Sequence, residues 1–525
     1  MLTRLKIKGF KNLVDVDIRF GPFTCIAGPN AAGKSNLFDA IRFLSATASK
    51  TLMEAALSVR SERAGNSDVR SLFHRVAGDR VNNMSFEVEM IVPSEATDDL
   101  GQAAKATANF LRYCLDLRYR EEVERVNPGM GPIEIVREEL THIHMSEAGK
   151  HLLFLHSPSK WRKTAITVAR RAASFISTEG EERNRVIKLH QDGGSSGRAV
   201  SNPANQPRTV LSVANASECP TALCARREME SWQLLQLEPS ALREPDSIQA
   251  PFHLESNGLH LPATLYHLAR MSAVDADATA SATAGESVYA NIANRLTELV
   301  SDVDKISVDR DEKRELLTLE VTGKDGTPHP ARSLSDGTLR FLALAVLEVD
   351  PRTRGVICLE EPENGIHPER IPAMLNLLRD IALDPQEESD SSNPLRQVIV
   401  NTHSPAVVLE VPDDTLLVVE TREDARGGKR FSKACFSCLA NTWRSKSPEI
   451  ANVVPKGRLL AYLNPLSPAD EALTPFYARA GKKVLTATSE KRPRVADRED
   501  LQPYFPKMVA ENETSNLYTP GRRSV

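Results

Sequence analysis

The feature that most restricts this fold is the octapeptide Gly28-Pro29-Asn30-Ala31-Ala32-Gly33-Lys34-Ser35, set between an apolar run and a helical pattern. Phe23-Thr24-Cys25-Ile26-Ala27 reads as a buried strand running into it, and Leu37, Ile41 and Leu44 recur at helical spacing after Lys34. A strand, a glycine-bounded loop and a helix N-terminus in that order make a phosphate cradle. Gly28 and Gly33 let the backbone turn its N–H groups inward, and the helix start adds partial positive charge. Lys34 would reach terminal phosphates, and the Ser35 hydroxyl would ligate Mg²⁺.

Far downstream, Val356-Ile357-Cys358-Leu359-Glu360-Glu361 is an apolar strand that delivers two adjacent carboxylates. In a parallel sheet, ligands sit at the carboxyl ends of the strands, so this strand is expected beside the phosphate-loop strand. Glu360 would then hold the metal and Glu361 orient the attacking water. Taken alone, the pair has a second, less favoured reading as two solvated glutamates at a strand end. Pro362-Glu363-Asn364-Gly365-Ile366-His367-Pro368 stops that strand abruptly. Upstream, Ser335-Asp336-Gly337-Thr338 precedes an apolar helix, which Ser335 or Asp336 can cap, and Gly337 would let a phosphate approach the backbone. Val398-Ile399-Val400-Asn401-Thr402-His403 is another buried strand, ending in a histidine where a γ-phosphate sensor is expected.

Composition sets outer limits. At 525 residues the chain exceeds what one core organises, so one large or a few smaller lobes are expected. A net charge of −4 argues against a protein that coats nucleic acid indiscriminately, although a local basic groove is compatible with it. Aromatic content of 5% is too low for extended base-stacking platforms. No apolar run approaches the roughly 18–20 residues of a membrane span, and Met1-Leu2-Thr3-Arg4 leads into a strand pattern, so a cytoplasmic protein without membrane attachment is expected. Seven scattered cysteines suit reduced thiols.

Strands are expected at Phe86–Val92, Tyr113–Tyr119, Ile133–Val136 and Leu152–Leu155. From about Gly180 to Asn215 the composition turns polar and suggests long loops, marked by Gly193–Gly197 and Asn202–Asn205. Ser272–Gly285 is rich in Ala, Thr and Ser and reads as a linker before a helix at Val288–Val300. After about Thr421 the pattern weakens, and the last residues read as disordered.

In this order the motifs resemble the ATP-binding-cassette ATPases. Gly28 to Ser35 matches Walker A, Ser335 to Thr338 the signature motif, Glu360 and Glu361 Walker B with its catalytic glutamate, Pro362 to Pro368 the D-loop, and His403 the switch histidine. The wording Gly-Pro-Asn-Ala-Ala-Gly-Lys-Ser-Asn, Leu-Ser-Asp-Gly-Thr, Glu-Pro-Glu-Asn-Gly-Ile-His-Pro and Thr-His-Ser-Pro resembles the non-transporter branch. That branch holds RecF-like, SMC-like and OLD-family ATPases and many ATPases of bacterial anti-phage systems. The resemblance covers roughly residues 1–420, more loosely through 85–330.

It implies an α/β ABC-ATPase head with a P-loop sheet, an inserted β-rich and helical lobe, and a short C-terminal appendage. The parts would be 1–84 and 331–420 for the head, 85–330 for the lobe and 421–525 for the appendage. It implies ATP and Mg²⁺ as cofactors, with catalytic Glu361, His403 and Lys34. Nucleotide contacts would come from Gly28, Asn30, Ala31, Ala32, Gly33, Lys34, Ser35 and Asn36, and from Ser335, Asp336 and Gly337. Ser35 and Glu360 would hold the metal. The signature motif of one protomer would complete the ATP site of another, giving a homodimer or higher oligomer that acts as an ATP-gated switch. The role implied is the sensor or regulator ATPase of an anti-phage system with a separate effector such as a nuclease. Alternatives are a RecF-type DNA repair ATPase and a nucleotide-gated scaffold that sequesters a toxin.

Departures from that pattern are also visible. Glu360 stands where Asp is usual, no Gln marks a Q-loop near residues 70–90, and no long heptad segment provides coiled-coil arms. The C-terminal region shows no convincing acidic cluster for a nuclease. Cys435-x-x-Cys438 with Cys219 and Cys224 offers four thiols for zinc in a loose pattern. Lys482, Lys483, Lys491, Arg492, Arg494 and Arg498 make the tail basic, as a solvated segment or as a nucleic-acid or partner contact.

Overall fold

A computed structural model of the chain describes residues 1–59, 68–76, 79–121, 131–167, 174–180, 184–192, 197–201, 206–275, 281–446, 452–463 and 494–498. Its centre is a six-stranded sheet in the order Gln233–Leu235, Gly355–Glu360, Arg396–Thr402, Phe23–Ala27, Leu416–Arg426, Lys429–Cys438. The first five strands are parallel and the last turns back antiparallel. Phe23–Ala27 and Arg396–Thr402 are buried along their whole length, which explains why both read as continuous apolar runs rather than alternating ones.

Each face of that sheet is covered. On one side, the helix Lys34–Thr47 packs its Leu37, Phe38, Ile41 and Leu44 between the central sheet and an eight-stranded sheet. This second sheet is antiparallel at every junction. Its order is Gly197–Ser201, Val186–His190, Ile176–Glu179, Ile133–His142, Phe110–Tyr119, Asn83–Ile91, Leu2–Phe10, Leu13–Arg19. The rings of Phe10, Phe43 and Phe86 meet at 5.7–6.2 Å between the helix and this sheet. On the other side, Leu261–Asp275, Ser281–Leu299, Asp336–Val349 and Ile371–Ile381 bury their apolar faces against Cys25, Ile357, Val398 and Val400.

Several expectations change. Leu152–Leu155 is not a strand: Leu152 and Phe154 drop into a small side core with Ile91, Phe110 and Trp161, while Leu155 is exposed, so the apolar pattern serves packing without a partner strand. The polar stretch after Gly180 contains the hairpin strands Val186–His190, where Ile187 and Leu189 alone are buried, and Gly197–Ser201; residues 193–196 and 202–205 lie outside the described residues. Of Ser272–Gly285, residues 272–275 and 281–285 are helical, and residues 276–280 lie outside the described residues. One helix runs to Asp275 and the next begins at Ser281, in keeping with the helix preference of alanine.

The pattern also persists beyond Thr421, through the hairpin Leu416–Cys438. Residues 84/85 and 420/421 fall inside single strands, and Gln233–Leu235 from the inserted segment joins the central sheet. Among the described residues no helix is long and apolar enough to cross a membrane.

Candidate nucleotide site

The phosphate loop leaves the centre of the sheet. Gly28 N–H donates to the Thr402 carbonyl at 3.3 Å, and Gly33, at φ +114°, opens the helix Lys34–Thr47. That helix has no side-chain cap and no acidic residue in its first turn, so its N–H groups are left for a ligand. A Cβ at Gly28 would lie 2.3 Å from the Val419 carbonyl oxygen. Lys34 Nζ donates to the carbonyls of Gly28 and Pro29 at 2.6 and 3.0 Å. Burial lowers its pKa, against the opposing pull of Glu361, Glu363 and Glu360.

Glu360 and Glu361 emerge one strand away from the loop rather than next to it: the histidine strand Arg396–Thr402 lies between, paired with both. The register aligns Glu360 with Asn401 and Thr402 with Ala27, so all three strand ends finish at one edge. Glu360 Oε2 accepts from Gln236 Nε2 at 2.8 Å. Glu361 sits in the left-handed region, at φ +46°, and its N–H donates to the Asn401 carbonyl at 3.0 Å. Its Oε1 faces His403 Nδ1 at 2.6 Å, and its Oε2 accepts from Asn364 Nδ2 at 3.0 Å. Glu363 is buried, and burial raises its pKa; the Thr402 hydroxyl donates to it and in turn accepts from Ser404 N–H at 2.9 Å.

Lys34, Gln236, Glu360, Glu361 and Asn364 line a cavity of about 560 Å³ together with Asn30 and Ala31, whereas His403, Glu363 and Thr402 stand outside its lining. Gly33, Ser35 and Asn36 line it too, whereas Gly28 lies at the loop's base and Ala32 is buried beneath it. The Ser35 hydroxyl makes no hydrogen bond among the described residues, and with Glu360 it offers hard oxygen donors suited to Mg²⁺. Ser335, Asp336 and Gly337 do not line this cavity. Ser335 caps its helix by accepting from Thr338 N–H at 3.2 Å, and Asp336 instead pairs with Arg243 at 2.5 Å. Gly337 packs on the turn after the carboxylates, where a Cβ would meet the Gly365 carbonyl at 2.2 Å.

Sequence reading missed Gln236, which takes the place beside Glu360 that no glutamine near 70–90 occupies. It follows a three-residue strand deep in the inserted segment, too short to stand out by pattern. Asn12 was missed as well: its side chain accepts from Asn36 Nδ2 at 2.8 Å and crowds Gly33. The thiols do not gather into a zinc site. Cys435 and Cys438 are three apart on one strand and so face opposite ways, and Cys219 donates to Asp192 Oδ1 at 3.3 Å. Of the basic tail, Arg494 pairs with Asp497 and Glu410, and Arg498 with Asp413. Lys482, Lys483, Lys491 and Arg492 lie outside the described residues.

Two family models and several known proteins match this chain. Residues 242–410 fit the family described as AAA domain, putative AbiEii toxin, Type IV TA system, and residues 4–94 fit an AAA domain family. An OLD nuclease of Thermus scotoductus is 51% identical over 41 residues, 8% of this chain and 8% of that protein. The DNA replication and repair protein RecF of Magnetococcus marinus is 37% identical over 81 residues, 14% of this chain and 21% of that protein. The chain thus spans only a small part of either relative's length. An SMC head bound to the C-terminal winged-helix domain of ScpA superposes over 83% of this chain and 98% of that one, at 13% identity and a TM-score of 0.41. By its two AAA-domain matches and the stretches it shares with an OLD nuclease and RecF, the chain is similar to ATPases of the RecF- and OLD-like kind.

Proposed function

We propose that this chain binds ATP with Mg²⁺ in the 560 Å³ cavity and hydrolyses it. The observation that carries this reading is the meeting of Lys34, Ser35, Glu360, Gln236 and the His403–Glu361 pair at one sheet edge, although they come from four distant segments. Lys34 exchanges its loop carbonyls for the terminal phosphates. Ser35 and Glu360 would hold the metal, which would supply positive charge at the phosphates. Glu361 takes a proton from the water whose oxygen bonds to the γ-phosphorus as the bond to ADP breaks. His403, paired with Glu361 Oε1, would sense the γ-phosphate through that carboxylate.

Ser335 to Gly337 stand away from their own chain's cavity, which fits a head-to-tail homodimer in which they serve the partner's nucleotide. In that scheme residues 1–84 and 331–420 form the nucleotide-binding head, 85–330 the lobe that meets other molecules, and 421–525 the appendage. The biological role we propose is the regulator ATPase of an anti-phage system that acts with a separate effector and associates with DNA. The family wording about a TA-system toxin and the stretches shared with an OLD nuclease and RecF support that direction.

Steady-state ATP hydrolysis with and without linear double-stranded DNA tests the reading, with Lys34→Ala as the blank. The expectation is Mg²⁺-dependent turnover that is lost in Lys34→Ala, and a Glu361→Gln variant that stays dimeric with ATP. Turnover unchanged in Glu361→Gln would remove the base assignment. Turnover indifferent to DNA would favour a protein-partnered switch over the DNA-associated role.

A further inference from the structure

Glu361 is gripped from both sides, by His403 on Oε1 and by Asn364 on Oε2. Asn364 is itself tied through its main chain. Its N–H donates to the Glu361 carbonyl at 3.1 Å, and its carbonyl accepts from Arg340 Nη1. Arg340 lies one turn into the helix Asp336–Val349, and its Nε donates to the Leu237 carbonyl at 3.1 Å. The neighbouring Gln236 holds Glu360. Gly337, at the start of the same helix, is pressed against Gly365 with no room for a side chain. The helix start, the turn 361–366 and the Gln236 segment are therefore one connected body that touches both carboxylates.

A carboxylate with a single donor swings about its terminal torsion, whereas donors on both oxygens fix its plane. The neutral amide of Asn364 fixes that plane without an ion pair that would weaken the group as a base. We propose that Asn364 is a positioning residue for Glu361, and that Arg340 sets Asn364 from the signature helix, so that the seat of this helix decides whether Glu361 is aimed at water. This deepens the hydrolytic reading and rests on Glu361 being the base.

Single-turnover ATP hydrolysis and separate ATP-binding measurements test the proposal in Asn364→Ala, Glu361→Gln and the double variant. Asn364→Ala is expected to lower the chemical rate roughly tenfold or more, with ATP affinity within about twofold of the parent. In the Glu361→Gln background the same change is expected to add nothing, because both act through one group. Asn364→Asp keeps the volume but sets a carboxylate against Glu361, and it should lose as much even if the alanine variant folds poorly. Arg340→Ala should mimic Asn364→Ala, and Arg340→Lys, which keeps one donor, should recover part of the rate. Equal losses from Asn364→Ala in both backgrounds, or a loss confined to affinity, would overturn the proposal. An unchanged rate in Glu361→Gln alone would instead overturn the underlying base assignment.

Discussion

Replacing Gly28 with alanine tests whether the phosphate loop is held by backbone contact as closely as the sheet requires. The added Cβ would sit 2.3 Å from the Val419 carbonyl oxygen and 2.7 Å from Val419 Cγ1, where ordinary contact begins at 3.4 Å, so one side must retreat by about 1 Å. The carbonyl cannot swing away cheaply. Val418 is paired with Ala27 in the parallel ladder, and Val419 is fully buried and paired with Phe436 on its other side. The loop must therefore move, which pulls Gly28 N–H from Thr402 and disturbs the carbonyls that face Lys34.

Overpacking of this kind costs about 2–3 kcal/mol, in the upper part of the usual range because the obstacle is backbone. For a chain of this size that lowers the melting midpoint by roughly 2–3 °C. Saturating ATP with Mg²⁺ at about 100 times its Kd should stabilise the parent by about 2.7 kcal/mol, and this shift should vanish in the variant. Differential scanning fluorimetry with and without nucleotide reads both effects. A Gly28→Ala protein that melts with the parent and keeps the full ATP shift would refute the packing argument.

Other expectations follow from the same contacts. Gly337→Ala must displace the Gly365 turn and should lower hydrolysis more than ATP binding, measured by turnover against nucleotide affinity. Burial pushes the Glu138 carboxyl up to about 7 despite donors from Leu211, Val210 and Tyr113, so the folded state favours its protonated form. Its stabilisation is full below the ordinary carboxylate value and is lost as pH rises from about 4.5 through about 7, about 3 kcal/mol in all; urea melts of Glu138→Gln should lack that slope. Glu89 is the opposite case. Burial alone would raise it, but His151, Arg4 and Arg112 together bring it down to about 2. Its contribution is present above about 4.5 and disappears as pH falls toward 2, so Glu89→Gln should flatten the acid limb of a stability profile.

The local geometry of the site was legible because its chemistry is written in contiguous residues. A strand–loop–helix around Lys34 and a carboxylate at a strand end each follow from a handful of neighbours, and both stand in the structure where hydrogen bonding requires. Strand order was less legible. Nothing within Val356–Glu361 says that the histidine strand lies between it and Phe23–Ala27, because a buried parallel strand is apolar on both faces and carries no mark of its neighbour. Gln236, Asn364 and Arg340 were not legible for a different reason. Each is an ordinary surface-type residue whose meaning lies in one partner far along the chain: Glu360 for Gln236, and the Asn364 carbonyl for Arg340.

The same distinction explains how the lobe proposed for 85–330 would belong to the site. It returns through Gln233–Leu235 to the sheet edge beside Gly355–Glu360, and the next residue, Gln236, donates its amide to Glu360. A lobe attached in this way cannot shift relative to the helix Asp336–Val349 without pulling on Leu237 and Arg340, and through them on the turn that holds Glu361. A molecule that moves this lobe would therefore act on hydrolysis through the Gln236–Leu237 segment. A Gln236→Ala variant, which frees Glu360 from the lobe, should then weaken any stimulation by such a molecule more than it weakens basal turnover. Loss of basal and stimulated rates by the same factor would show that Gln236 serves Glu360 alone.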